Sequence, residues 1–187
     1  MIHRFPCGTD ALDFVGTLRA RNEEKPTEKL NAPSDLDAWF TEAGMLDGPA
    51  GASAADIDVA IELREAIASL AFARIRKTEL NADDVELVNS FASAAPVSVA
   101  LADGKLAKTG SVSQGLSTVA REAIEIIGGP DAELLRECSR PGCNQVYLDK
   151  SRGHRRDWCS MKTCGNRVKA SKFRARHGAG VVVAAEA

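Results

Sequence analysis

Cys138, Cys143, Cys159 and Cys164 form two pairs with the same four-residue gap, fifteen residues apart. Thiolates so spaced around a tight turn, here Pro141-Gly142, approach one metal ion from adjacent directions, and a second pair completes a tetrahedron. Zinc suits such a set. An iron–sulfur cluster could use the same sulfurs, and His154 could replace one thiol in a three-cysteine, one-histidine site. The expectation is one structural Zn2+ on all four cysteines, because a four-thiolate ion keeps no open position for a reacting water. The opening MIHRFPCGTD holds no apolar run of signal-peptide length. The five cysteines are therefore read as reduced thiols of a cytoplasmic chain rather than as a disulfide framework. His3 and Cys7 have no neighbours that complete a ligand set, and they are read as structural.

These cysteines lie in the basic end of an otherwise acidic chain. Residues 1–137 carry 13 basic and 23 acidic side chains, a net of −10, whereas residues 138–178 carry 11 and 2, a net of +9. Such an asymmetry points to an end that meets a polyanion, with DNA as the expected partner. The segment CGNRVKASKFRARHG has few helix breakers before Gly178. At about 100° per residue, Lys169, Lys172 and Arg176 form one row along a helix, and Arg167 and Arg174 form a second. Asn166, Ala170 and Phe173 fall between the rows and are expected to face the interior. With the preceding loop, the candidate phosphate contacts are Arg152, Arg155, Arg156, Arg167, Lys169, Lys172, Arg174 and Arg176. Arginine's planar fork makes Arg167 and Arg174 the better candidates for a base edge. Other readings stay open: a solvated face, a contact with the chain's own acidic body, or docking on an acidic protein or on RNA.

These side chains need a scaffold. Ser34 with Asp37, Ser53 with Asp56 and Asn81 with Asp84 each set a capping acceptor three residues before an acid, which predicts three helix starts. Leu36, Trp39, Phe40 and Ala43 form an apolar face ended by Gly44, and the two aromatics are read as core. Ile57, Ile61, Leu63, Ile67, Leu70, Ala71 and Ile75 give the stripe of a central helix. Further helices are expected over residues 10–21 and from Ser113 to the Gly128-Gly129-Pro130 stop. VSVALADGKLAKT alternates around Asp103-Gly104 and predicts a hairpin, and VYLD predicts a short strand between the cysteine pairs.

The segment CSRPGCNQVYLDKSRGHRRDWCSMKTCGNRVKASKFRARHG resembles the CGNR zinc finger, through Cys164-Gly165-Asn166-Arg167 and the preceding Trp158-Cys159-Ser160-Met161. ALDFVGTL and SDLDAWFTEAGML are similar to the opening of the helical ABATE domain that precedes this finger in its family. The resemblance spans essentially the whole chain and implies a stress-linked bacterial transcription regulator. Gly16 stands where the family pattern usually has an asparagine. Asp157 interrupts what is commonly an arginine run before the tryptophan.

Together these observations predict a mainly α chain with small β elements. Residues 1–136 are expected to form a helical ABATE-like domain with one hairpin, a candidate for sensing a small-molecule effector or for pairing two copies as a homodimer. Residues 137–178 are expected to form a treble-clef-like zinc ribbon, and 179–187 a tail. No paired carboxylates, phosphate-cradling glycine loop or activated nucleophile stands out, so no enzymatic role is expected. No apolar run approaches the ~20 residues of a membrane span.

Overall fold

The computed structural model describes residues 3–177. The tail over 179–187 and the stop at Gly178 lie outside the described residues. In order, the chain forms α1 (Asp10–Val15), β1 (Leu18–Arg19), β2 (Thr27–Glu28), α2 (Pro33–Glu42), α3 (Ala54–Arg76), α4 (Ala82–Ser93), β3 (Ser98–Ala102), β4 (Lys105–Thr109) and α5 (Val112–Gly128). A 3-10 turn, Pro130–Leu134, leads into β5 (Leu135–Glu137), β6 (Val146–Leu148), a π-helical turn at Met161–Gly165 and α6 (Asn166–His177). The strands pair only as antiparallel neighbours, β1 with β2, β3 with β4 and β5 with β6.

Local chemistry explains most boundaries. Ser53 and Asp56 form a reciprocal capping box at the start of α3, and Asn81 accepts the Asp84 N–H at the start of α4. Two predicted starts shift by a turn or less. The carboxylate of Asp35, not Asp37, accepts the N–H groups of Asn31 and Ala32 ahead of α2. Asp37 instead accepts from Ala50 and Ala52, holding the loop that enters α3. The α5 cap is Ser111, paired with Gln114, rather than Ser113. The helix expected over 10–21 stops at Val15, and β1 follows it. The Asp103-Gly104 hairpin forms as expected, with Leu101 opposite Leu106.

α3 is the central element. Its buried stripe, including Ile57, Leu63, Ile67 and Leu70, packs against α1, α2, α4 and α5, and also against β5 and β6. Trp39 and Phe40 are fully buried beside Phe14, with ring centroids 4.9 Å apart for Trp39 and Phe14. The core continues without a break into Leu135, Val146, Tyr147 and Leu148, so the β5–β6 pair closes one side of the helical body. Apolar burial of this kind is the main stabilising contribution.

One charged group sits inside this core. Arg64 on α3 is buried and donates to both carboxylate oxygens of Glu28, at 2.6 and 2.8 Å, and to Thr17 Oγ1 at 3.1 Å. Glu28 also accepts the N–H groups of Lys29 and Leu30. Arg64 thereby ties β2 and the turn after α1 to the central helix. Breaking a buried pair by removing one partner leaves the other charge uncompensated. Arg64→Met should therefore cost ~3–5 kcal/mol in denaturant unfolding, and adding Glu28→Met should recover part of the loss.

Asp13 is a buried acid. It accepts the Cys7 N–H at 2.9 Å, yet burial pushes its carboxyl from the ordinary 3.8 up to about 7. The native state then keeps a proton that the unfolded chain releases, so stability falls as pH rises from about 4 to 7. Asp13→Asn should flatten this part of the curve, removing a change of roughly 2–4 kcal/mol in unfolding experiments across that range.

Candidate metal centre and basic helix

The first cysteine pair closes on a turn. The Cys143 N–H donates to the Arg140 carbonyl at 3.1 Å, with Pro141 second and Gly142 third at φ +69°, the conformation a type II turn requires there. Cys138 follows β5, and its N–H donates to the Gln145 carbonyl at 2.9 Å. In the second pair, Cys159 follows the Arg156–Trp158 stretch and Cys164 lies in the π-helical turn that leads into α6. The four Sγ atoms are buried and lie within 4.8 Å of one another. Cys164 is 3.5 Å from both Cys143 and Cys159, and Cys143 is 3.9 Å from Cys159.

These separations fit zinc. Bonds of ~2.3 Å in a tetrahedron put the sulfurs roughly 3.8 Å apart, close to what the fold provides. The thiols also conflict without a cation. Hydrogen bonds from Cys143 and Cys159 hold the Cys138 thiol down at about 3, while Cys138 and Cys143 push the Cys159 thiol well above its ordinary value. A dication at the centre removes the repulsion and lets all four ionise. Four cysteines this close can hold one zinc ion. His154 stands apart, exposed, with its Nδ1 2.8 Å from the Asp149 carbonyl oxygen.

A second layer orients the ligands. Arg140 donates from Nε to Cys164 Sγ at 3.1 Å, placing a positive charge against the thiolates. Buried Asp149 accepts the N–H groups of Ser151 and Arg156 and the Ser151 hydroxyl, shaping the loop between the pairs. The Arg156 guanidinium lies 4.4 Å from the Tyr147 ring centroid and donates to the carbonyls of Trp158, Cys159 and Pro6. Its Nε and Nη2 donors are used inside the fold. Arg156 therefore holds the second cysteine pair against the body. Neither Arg140 nor Arg156 carries a spacing signal for this work, since their partners are distant or backbone atoms.

The remaining cations stay outside. Arg152, Arg155, Arg167, Lys169, Lys172, Arg174 and Arg176 are exposed, and among the described residues none makes an ion pair. Lys150 does pair, with Asp131 at 2.9 Å. No residue of α6 is buried. Ala170 and Phe173 are exposed rather than turned inward, and Phe173 stacks on His177 with centroids 4.1 Å apart. The helix starts at the metal cluster and then leaves the protein surface, so no core is present for its apolar stripe to meet.

The finger is fastened to the body at several points. The Leu148 N–H donates to the Cys7 carbonyl at 3.1 Å, and Arg156 reaches Pro6. Buried Gln145 lies against Gly16, where a Cβ would sit 2.1 Å from Gln145 Nε2. With no side chain at Gly16, the amide of Gln145 from the finger fills the space.

Two outcomes follow for the metal centre. Arg140→Met should weaken zinc affinity about 10–100-fold in competition with a chelating dye, as loss of an outer partner typically does. Cys159→Ser should abolish stoichiometric zinc and lower the melting temperature of the whole chain by several degrees, while far-ultraviolet circular dichroism keeps the signal of α1–α5.

Among the described residues, no helix is long and apolar enough to cross a membrane. No curated protein matches this chain. Two family descriptions do. The CGNR zinc finger matches residues 135–177, the stretch that contains the four thiols and α6. The ABATE family, described as "Putative stress-induced transcription regulator", matches residues 8–130, the helical body. The chain belongs to the ABATE family and carries a C-terminal CGNR zinc finger.

Proposed function

We propose that this protein is a bacterial transcription regulator that binds duplex DNA through α6 and the basic loop before it, with Cys138, Cys143, Cys159 and Cys164 ligating one structural zinc. Residues 137–178 act as the DNA-binding finger, and residues 1–136 act as a ligand-sensing or pairing unit. The observation that carries the reading is the exposed, unpaired state of the α6 cations. A contact with the chain's own acidic body would have sequestered them. No catalytic role is assigned to the helical body.

The geometry of the helix suits a groove. The row of Lys169, Lys172 and Arg176 and the row of Arg167 and Arg174 lie on either side of Asn166, Ala170 and Phe173. A major groove ~12 Å wide admits one helix, so two such rows can meet the phosphates of both strands while the stripe faces base edges. Phosphates supply most of the affinity through counterion release; an apolar contact with a thymine methyl, of the kind Phe173 could make, adds discrimination. Exposed Val99, Leu101 and Leu106 on the β3–β4 hairpin support a pairing surface on the opposite unit.

Zinc-loaded protein should retain duplex DNA with an affinity that falls as salt rises. Changing Lys169, Lys172 and Arg176 together to Gln should flatten the slope of log K against log salt by about 0.9 per lost phosphate contact. Phe173→Ala should leave the slope and alter the sequence preference. Absence of any salt-dependent retention of duplex DNA would refute the proposal, and tighter retention of RNA than of DNA would reassign the polyanion.

A further inference from the structure

A cavity of about 470 Å3 opens where the finger meets the body. Arg4, Arg19 and Lys29 line it from the body, and Arg140 and Arg167 line it from the finger. Among the described residues, the side chains of Arg4, Arg19, Lys29 and Arg167 make no hydrogen bond or ion pair. The one carboxylate in the lining, Asp13, is buried behind them. Four unpaired cations converging on a concave space repel one another, and an anion entering that space relieves the repulsion.

A second observation points the same way. Trp39 lines the cavity and is fully buried, yet its indole N–H has no acceptor among the described residues. A buried donor without a partner is rare in a well-packed protein, and an acceptor group entering the cavity would satisfy it. The walls are also firmly set. Arg64 anchors Glu28, which organises the backbone of Lys29, and the Gln145 contact with Gly16 fixes the finger side. Size and enclosure suit a small molecule, since pockets for such ligands span ~300–1,000 Å3.

We propose that this cavity binds a small metabolite bearing two or more phosphate or carboxylate groups, bridging Arg4, Arg19 and Lys29 of the body to Arg140 and Arg167 of the finger. Arginine forks bind such groups through paired hydrogen bonds. Arg140 also touches Cys164, and Arg167 is the second residue of α6, so the occupant contacts both the metal centre and the start of the basic helix. This deepens the sensing role proposed above, and it is tested without DNA, so it stands or falls separately from DNA binding.

The test is calorimetric titration of the zinc-loaded full chain at fixed ionic strength with a hexose bisphosphate, with tricarballylate as the carboxylate probe, and with the unphosphorylated hexose. The account expects saturable, stoichiometric binding of at least one polyanion and none of the neutral hexose; which probe binds tells phosphate from carboxylate. Arg19→Gln with Lys29→Gln should weaken that binding at least tenfold while zinc content and circular dichroism stay unchanged. If that pair does not fold, Lys29→Gln alone should weaken binding in the same direction. Two results would overturn the proposal: no polyanion bound, or an equal loss from Lys169→Gln with Lys172→Gln on the outer helix.

Discussion

Four sulfurs brought within reach of one ion govern the basic end of this protein. The stretch from β5 to α6 is about forty residues, too little to bury a core of its own, and metal ligation is how chains of that size are usually stabilised. α6 depends on it most. A twelve-residue helix with no buried side chain and five like charges is not stable by itself in water. Its attachment is the π-helical turn that carries Cys164, so the ion that gathers the cysteines also fixes where the helix begins and which way it leaves. The charge of Arg140 against Cys164 belongs to the same device, since it offsets the surplus of thiolate over metal charge.

The finger is not a pendant. Tyr147 and its neighbours on β6 complete the core over α1 and α3, and Gln145, Leu148 and Arg156 each reach into the N-terminal segment. Arg156 shows how this works, stacking on Tyr147 while its donors satisfy carbonyls from both cysteine-bearing and N-terminal backbone. Because the two matched regions share packed residues, a change in how the body is occupied has a physical route to the helix. That route runs through the junction where Arg4, Arg19 and Lys29 face Arg140 and Arg167.

Much of this was legible in local signals. The capping pairs at Ser53 and Asn81, the Asp103-Gly104 turn and the cysteine spacing all act over a few residues, and the structure places them as read. What escaped depends on residues far apart in the chain. Arg64 looks like one more helical cation until Glu28, thirty-six residues earlier, is folded against it. Arg156 sits in a basic run, and nothing local distinguishes it from Arg155. The close approach of Gln145 to Gly16 joins distant parts of the chain, and α6 leaves Phe173 exposed. Periodicity identified that stripe correctly but could not say whether a core would be there to receive it.

The central claim is that zinc-fixed geometry presents the basic helix to DNA. It is tested most directly by selecting bound sequences from random duplex DNA with zinc-loaded protein and, in parallel, with protein stripped by a chelator. The account predicts that the loaded protein enriches duplexes sharing a short motif and that stripping removes the enrichment. Recovery of no duplex by the loaded protein, or the same recovery with and without zinc, would contradict it.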